Sequence, residues 1–265
     1  MRILVIMGRV LDPGGIAVNR RRGRIFVNRE EYVMQPADRG ALEAALRIKE
    51  GLQPHSAEVV ALPRTLLPDD DVLRLAVATG ADRAIHLTSE GTVEADDAGI
   101  AQVLAAAAER LGGADLVLTG ATTLDTGQSQ LGPRLAEALG WPQILSALHV
   151  EADDGRVEVI LKQGKQYVTV EADLPAVVTV TPDTLKPRYP DGTRLINVYK
   201  RTGDMAAAVE QWDVADQVDT EVLTPLLENR GRDFPPERER GVRVSGTPEE
   251  MAQALADALQ QWTPS

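Results

Sequence analysis

Short runs of consecutive apolar residues alternate along the first half of the chain with longer segments in which apolar residues recur every three or four positions. The runs lie at Ile3–Met7, Glu58–Leu62, Arg83–Leu87 and Leu116–Leu118, as expected of strands buried on both faces. Between them, Ala37–Glu50 carries Ala41, Leu42, Ala45, Leu46 and Ile48 at helical spacing, with Gln35-Pro36 marking its start. Pro68-Asp69-Asp70-Asp71 opens a second helix, with acids in its first turn, that ends at Gly80. Asp96–Leu111 reads as an Ala-rich helix, and a further amphipathic pattern runs from near Gln128 to Gly140. Strands and helices alternating at this spacing predict an α/β fold with a doubly wound, mainly parallel sheet covered on both faces.

The period then changes. Ile144–Glu151, Arg156–Leu161 and Gln166–Glu171 read as strands, separated by turn signals at Asp153-Asp154-Gly155 and Gln163-Gly164-Lys165. They predict antiparallel strands added to the parallel core, with Ala176–Val180 as one more apolar strand and Arg24–Val27 as a short early one. Residues 181–201 are polar and interrupted by Pro, and Val214–Arg240 is charged with little periodicity. The end reads as a strand over Val242–Val244, a Ser245/Thr247 helix start with Pro248, Glu249 and Glu250, and an amphipathic helix to Trp262. The expected division is an α/β domain over 1–210 and an extended C-terminal arm over 211–265.

Composition narrows the function. Aromatic residues make up only 3%, so the core is built from Val, Leu, Ile and Ala. A net charge of −12 argues against non-specific nucleic-acid binding, which needs a basic face. The absence of cysteine excludes a thiol nucleophile or iron–sulfur ligation by this chain, and His55, His86 and His149 have no metal-ligand spacing. The N-terminal apolar run is too short for a signal peptide or a membrane span, which predicts a cytoplasmic protein without membrane insertion. No GxGxxG, GxxxxGK[ST] or GxSxG motif is present.

The densest candidate chemistry lies in Asp115–Gln143. Its strand ends at Gly120, and Thr122, Thr123, Thr126, Gly127 and Ser129 follow before the helical pattern. Free N–H groups and the positive end of a helix dipole at such a place bind anions, phosphate above all. The same residues equally suit an ordinary strand-to-helix turn rich in capping residues. The Asp69–Asp71 cluster reads as a helix start, His86 as a packed strand residue, and Arg20–Arg22 as a solvated hairpin turn. In Thr184–Arg201, Pro187, Pro190 and Gly192 forbid regular structure, while Leu195, Ile196, Val198 and Tyr199 are flanked by Arg188, Arg194, Lys200 and Arg201. A basic, apolar loop on an acidic protein suits an acidic partner surface, or else packs on its own domain.

Together RILVIMGRVLDP, MQPAD, ALEAALRIKE, VLRLAVATGADRAIHL, ADLVLTGATTLDTGQSQLGPRLAEALGWPQ, DLPAVVTVTPDTLKPRY, LINVYK and VSGTPEEMAQALADAL resemble, in order and spacing, the β subunit of electron transfer flavoproteins. The resemblance implies an adenine-nucleotide-hydrolase-like fold, and a heterodimer with an α subunit that carries the redox-active FAD. It also implies that the β subunit buries a second adenine nucleotide: AMP, or a second FAD in electron-bifurcating members. Carried over by position, the pocket would use Ile6, Gln35, Pro36, Ala37, Asp38 and Arg64. Its loop would be Gly120, Ala121, Thr122, Thr123, Leu124, Asp125, Thr126, Gly127, Gln128, Ser129, Gln130 and Leu131. Residues 181–201 would form the loop that recognises flavin dehydrogenases, with Leu195 as its anchor beside Arg188, Arg194 and Lys200. The C-terminal arm would dock on the α subunit. The chain would then carry electrons only within the complex and catalyse nothing alone; the alternative is a stand-alone enzyme acting on an adenine nucleotide. Relative to the family pattern, Gly8 stands where Lys is usual, Gln35-Pro36-Ala37 replaces N-P-F, and only Asp125 remains of two or three loop acids.

Overall fold

A computed structural model describes residues 1–67, 70–88, 95–153, 155–182, 185–200, 208–214, 218–219, 221–225, 241 and 243–261. The chain divides into two units, Met1–Glu228 and Asn229–Ser265.

The first unit is built on a nine-stranded sheet in the order β11-β10-β9-β12-β8-β1-β6-β7-β13. Its strands are β1 (Arg2–Met7), β6 (Glu58–Pro63), β7 (Arg83–Thr88), β8 (Leu116–Gly120), β9 (Gln143–Ala152), β10 (Arg156–Gln163), β11 (Gln166–Asp173), β12 (Ala176–Val180) and β13 (Val209–Asp213). From β9 across to β13 neighbours run parallel, while β10 and β11 extend the far edge antiparallel, as the change of period predicts. Two ribbons lie outside it, β2 (Arg9–Leu11) with β5 (Tyr32–Met34), and β3 (Ile16–Asn19) with β4 (Arg24–Val27). The turn between β3 and β4 holds Arg20–Arg22, the hairpin position expected of that basic run.

Alternation along β1 shows how the two faces are filled. Ile3, Val5 and Met7 pack with α1 (Pro36–Gly51) and α2 (Asp71–Thr79), and Leu4 and Ile6 pack with α3 (Asp97–Arg110) and α4 (Leu131–Leu139). Helices cover both faces, so the sheet is doubly wound. β1 is flanked by β6, its successor across α1, and by β8, reached only after the chain has passed through β7. That reversal makes the carboxyl ends of β1 and β8 the switch point where ligands of such sheets bind.

Several elements differ from the sequence reading, which did not include β2, β3 and β5. Gly192–Lys200 is a helix, α5, within the segment expected to be irregular. Its start was signalled: the Asp191 carboxylate accepts the Arg194 N–H at 2.8 Å, so Pro190 and Gly192 bracket an N-cap rather than forbid a helix. Val209–Asp213 forms the edge strand beside β7, so the boundary expected at 210 falls inside a sheet strand. Helix α4 begins at Leu131, not Gln128. Pro68, Asp69, Thr184, Arg201 and much of the expected arm lie outside the described residues.

In the second unit, α6 (Pro248–Gln261) opens with a capping box: Glu250 N–H donates to Thr247 Oγ1 at 3.3 Å, and Thr247 N–H to Glu250 Oε2 at 2.9 Å. Met251, Leu255 and Leu259 lie exposed along one side of it. Of the strand expected over Val242–Val244, Arg243 and Val244 are not in a strand, and Val242 lies outside the described residues. No helix among the described residues is long and apolar enough to cross a membrane.

Candidate functional site

The switch point is held together by one carboxylate. Asp38 lies in the first turn of α1, fully buried, and its oxygens accept the Gly8 N–H and the Gly120 N–H, each at 2.8 Å. It thereby joins the carboxyl ends of β1 and β8 beneath the positive end of a helix. Burial pushes the Asp38 carboxyl up to about 6, against the pull of Arg64 and the two N–H donors. With both oxygens committed to main-chain donors, Asp38 is a staple rather than a base.

The staple explains its glycines. A β-carbon at Gly120 would collide with Asp38 Oδ1 and come within 2.7 Å of Ala37 Cβ. One at Gly132 would overlap Thr179 Cγ2, so Gly132 lets α4 lie against the sheet. Sequence reasoning had not given Gly132 this role. The signal was a Gly in the first turn of a helix that follows a strand by a short loop.

Around the staple, buried polar groups have no hydrogen-bond partner among the described residues. Arg64 follows β6, is only 8% exposed, and has Nη1 3.8 Å from Asp38 Oδ1. Neither Nη1 nor Nη2 has a hydrogen-bond partner among the described residues. Gln35 is buried, and its Nε2 donates to the Thr122 carbonyl at 3.0 Å while Oε1 has no partner. Thr119 Oγ1, on β8, is also buried and unpartnered. Such groups are costly unless a ligand or water completes them.

The loop after β8 is less open than its composition suggests. Its donors turn inward: Gly127 N–H goes to the Thr123 carbonyl at 3.1 Å, Gln128 N–H to Thr123 Oγ1 at 3.1 Å, and Thr126 N–H to Asp125 Oδ1 at 2.7 Å. The hydroxyls of Thr123 and Thr126 lie 2.8 Å apart. Gly127 is the one loop residue with a left-handed backbone, at φ 68°. The open donors sit later, because Gln130 makes no side-chain cap and the N–H groups of Leu131 and Gly132 have no intrahelical acceptor. Leu124, Asp125, Ser129 and Gln130 line the exposed rim, and Ala121 is tied by its N–H to Val180 O at 2.8 Å. The side chains of Ile6 and Leu131 belong to the core beside α3 and α4, and Ala37 and half-buried Pro36 fix the entry to α1. These two expected pocket residues therefore offer the site only main-chain atoms.

The second expected site is rearranged. Leu195 is not at a loop tip: it lies on α5, half-buried against the core on the α1 and α2 side. Arg188 is committed to its own subunit, with Nε 2.8 Å from Glu43 Oε2 and Nη2 3.1 Å from Glu50 Oε2. Burial works to raise the Glu43 carboxyl, yet hydrogen bonds from Arg188 and Arg47 hold it below the usual range. Arg194 donates to the Val77 carbonyl at 2.7 Å and the Ala81 carbonyl at 3.0 Å, closing the end of α2. Of the expected basic rim, Lys200 is exposed. The apolar groups that face out here are Tyr189 at 83%, Ile196 at 54% and Tyr199 at 49% exposure. His86 is a packed strand residue, as expected, and burial lowers its pKa. Asp70 stands at the N-cap position of α2 without a side-chain cap bond and pairs instead with Arg74 at 2.8 Å.

The sheet order defines a doubly wound α/β protein, with the staple at its switch point and, beside it, buried polar groups that have no hydrogen-bond partner among the described residues. Comparison with known sequences agrees: the profile of the electron transfer flavoprotein domain matches residues 24–217. The chain is 31% identical to the electron transfer flavoprotein subunit beta of Homo sapiens, over 95% of this chain and 96% of that one. It is 29% identical to the subunit beta of Bacillus subtilis, over 98% and 97%. It is also 27% identical to the acryloyl-CoA reductase electron transfer subunit gamma of Anaerotignum propionicum, over 98% of each. This chain belongs to the electron transfer flavoprotein family, on its beta-subunit side.

Proposed function

We propose that this chain is the β subunit of a heterodimeric electron transfer flavoprotein that receives electrons from flavin dehydrogenases. Its α subunit would hold the redox-active FAD, which supplies the electron-carrying chemistry when bound. This chain would hold AMP at the switch point; a second FAD shares the adenylate group and would engage the same residues. The observation that carries the reading is the Asp38 staple with, beside it, buried Arg64 and Gln35 groups that have no hydrogen-bond partner among the described residues, together with the uncapped start of the helix that follows β8. The Leu131 and Gly132 N–H groups would meet phosphate, and Gln35 and the Thr122–Gln130 loop would enclose the nucleoside. The exposed Tyr189, Ile196 and Tyr199 beside Lys200 would meet the dehydrogenase, and the residues after 210 would dock on the α subunit.

The test is reconstitution. A reduced flavin dehydrogenase should pass electrons to an acceptor dye only when both subunits are present, and the isolated chain should leave AMP and ATP unchanged. Turnover of either nucleotide by the chain alone would replace this reading with that of a nucleotide-processing enzyme.

A further inference from the structure

Among the described residues, Arg64 stands out as a buried cation. It is a guanidinium, 8% exposed, whose two terminal nitrogens have no hydrogen-bond partner among the described residues. Its nearest counter-charge, Asp38, stands 3.8 Å from Nη1 and has already committed both oxygens to the Gly8 and Gly120 N–H groups. Asp38 balances part of the charge but does not satisfy the donors. A planar pair of donors in a poorly solvated place matches a group with two adjacent acceptor oxygens and negative charge.

The backbone is shaped around this side chain. Arg64 is anchored where its N–H bonds the Met7 carbonyl at 2.8 Å, which puts it across the end of β1. Its stem lies over Gly8: a β-carbon there would be 3.1 Å from Arg64 Cδ, 3.3 Å from Arg64 Cβ and 3.2 Å from Asp38 Oδ2. Gly8 has no left-handed backbone that would otherwise demand glycine, so the close approach of Arg64 and Asp38 is the reason for it. Met7 and Gly8 from the end of β1 and Asp38 from α1 thus hold one guanidinium in place.

We propose that Arg64 is the phosphate-reading residue of this site, with Nη1 and Nη2 donating to the phosphate oxygens of the bound nucleotide while Asp38 and Gly8 position it. This rests on the nucleotide reading above and adds what discriminates a nucleotide from its nucleoside. In the α–β complex freed of nucleotide, calorimetric titration with AMP and with adenosine separates the two. Arg64→Gln should weaken AMP binding about 10- to 100-fold, the range for hydrogen bonds to a charged group, and leave adenosine within about 2-fold. Arg64→Lys, which keeps the charge but loses the fork, should fall between. Gly8→Ala should weaken AMP selectively and add little to Arg64→Gln in the double variant, because both act through the same guanidinium.

Equal losses for AMP and adenosine, or no loss for either, would overturn the proposal, provided thermal melts show the variants folded. Failure of the unsubstituted complex to bind either compound would remove the nucleotide reading and this proposal with it. That failure is distinguishable because it appears before any substitution is made.

Discussion

At the scale of single residues, the site depends on a carboxylate that is costly to bury. The Asp38 carboxyl titrates near 6 in the folded chain against an ordinary value of 3.8, so between these values the folded state holds the extra proton. Protonation therefore favours the fold, and stability declines as pH rises through 6. Asp38→Asn is neutral throughout and lacks this dependence. Relative to that variant, the wild type should lose up to about 3 kcal/mol between about pH 4 and pH 7, read from unfolding midpoints; parallel curves would show an Asp38 with an ordinary carboxyl. Gly120→Ala should cost about 1–3 kcal/mol and expel the nucleotide, since its β-carbon displaces the staple. Gly51→Ala, at a position with open space, should leave both stability and ligand content nearly unchanged. Resemblance puts Asp38 in a nucleotide pocket, but its two hydrogen bonds from the Gly8 and Gly120 N–H groups were not readable from sequence. Those partners come from segments 30 and 82 residues away, and only the folded sheet brings them together.

At the scale of elements, the buried strands were legible because uninterrupted apolar runs mean burial on both faces, as in β1, β6, β8 and β12. α5 was not, because Pro and Gly near its start outweighed Asp191, whose side-chain cap decided the outcome. β13 was missed since VEQWD has no apolar run and is a strand only by pairing with β7. The composition of the loop after β8 suits an anion site and an ordinary turn rich in capping residues equally, and several of its donors serve the loop's own turn. The new place of α5 separates two roles that sequence had merged. Leu195→Ala should destabilise the chain by about 1–2 kcal/mol through lost packing, and Arg194→Ala should loosen the end of α2. Ile196→Ala and Tyr189→Ala should leave stability unchanged and slow electron transfer from the dehydrogenase, measured by stopped flow. A transfer defect confined to Leu195→Ala, without loss of stability, would return the anchor to Leu195.

At the scale of the whole molecule, the strand order fixes where a ligand can sit. The reversal between β1 and β8 opens the sheet at one place, and α1 and Arg64 meet there. The strand end at Gly120 was legible from the apolar run before it, but the strand order and its reversal were not, because they depend on pairings distant in sequence. Nor were the particular groups that face a ligand, because burial without a partner is a property of the packed chain alone. The central claim is that this chain holds an adenine nucleotide while the redox flavin belongs to its partner. The most direct measurement is denaturing release from the purified α–β complex, with flavin and AMP counted per heterodimer. One FAD and one AMP are expected; two flavins would put a second FAD in this site, and no adenine nucleotide beyond the partner's FAD would contradict the claim outright.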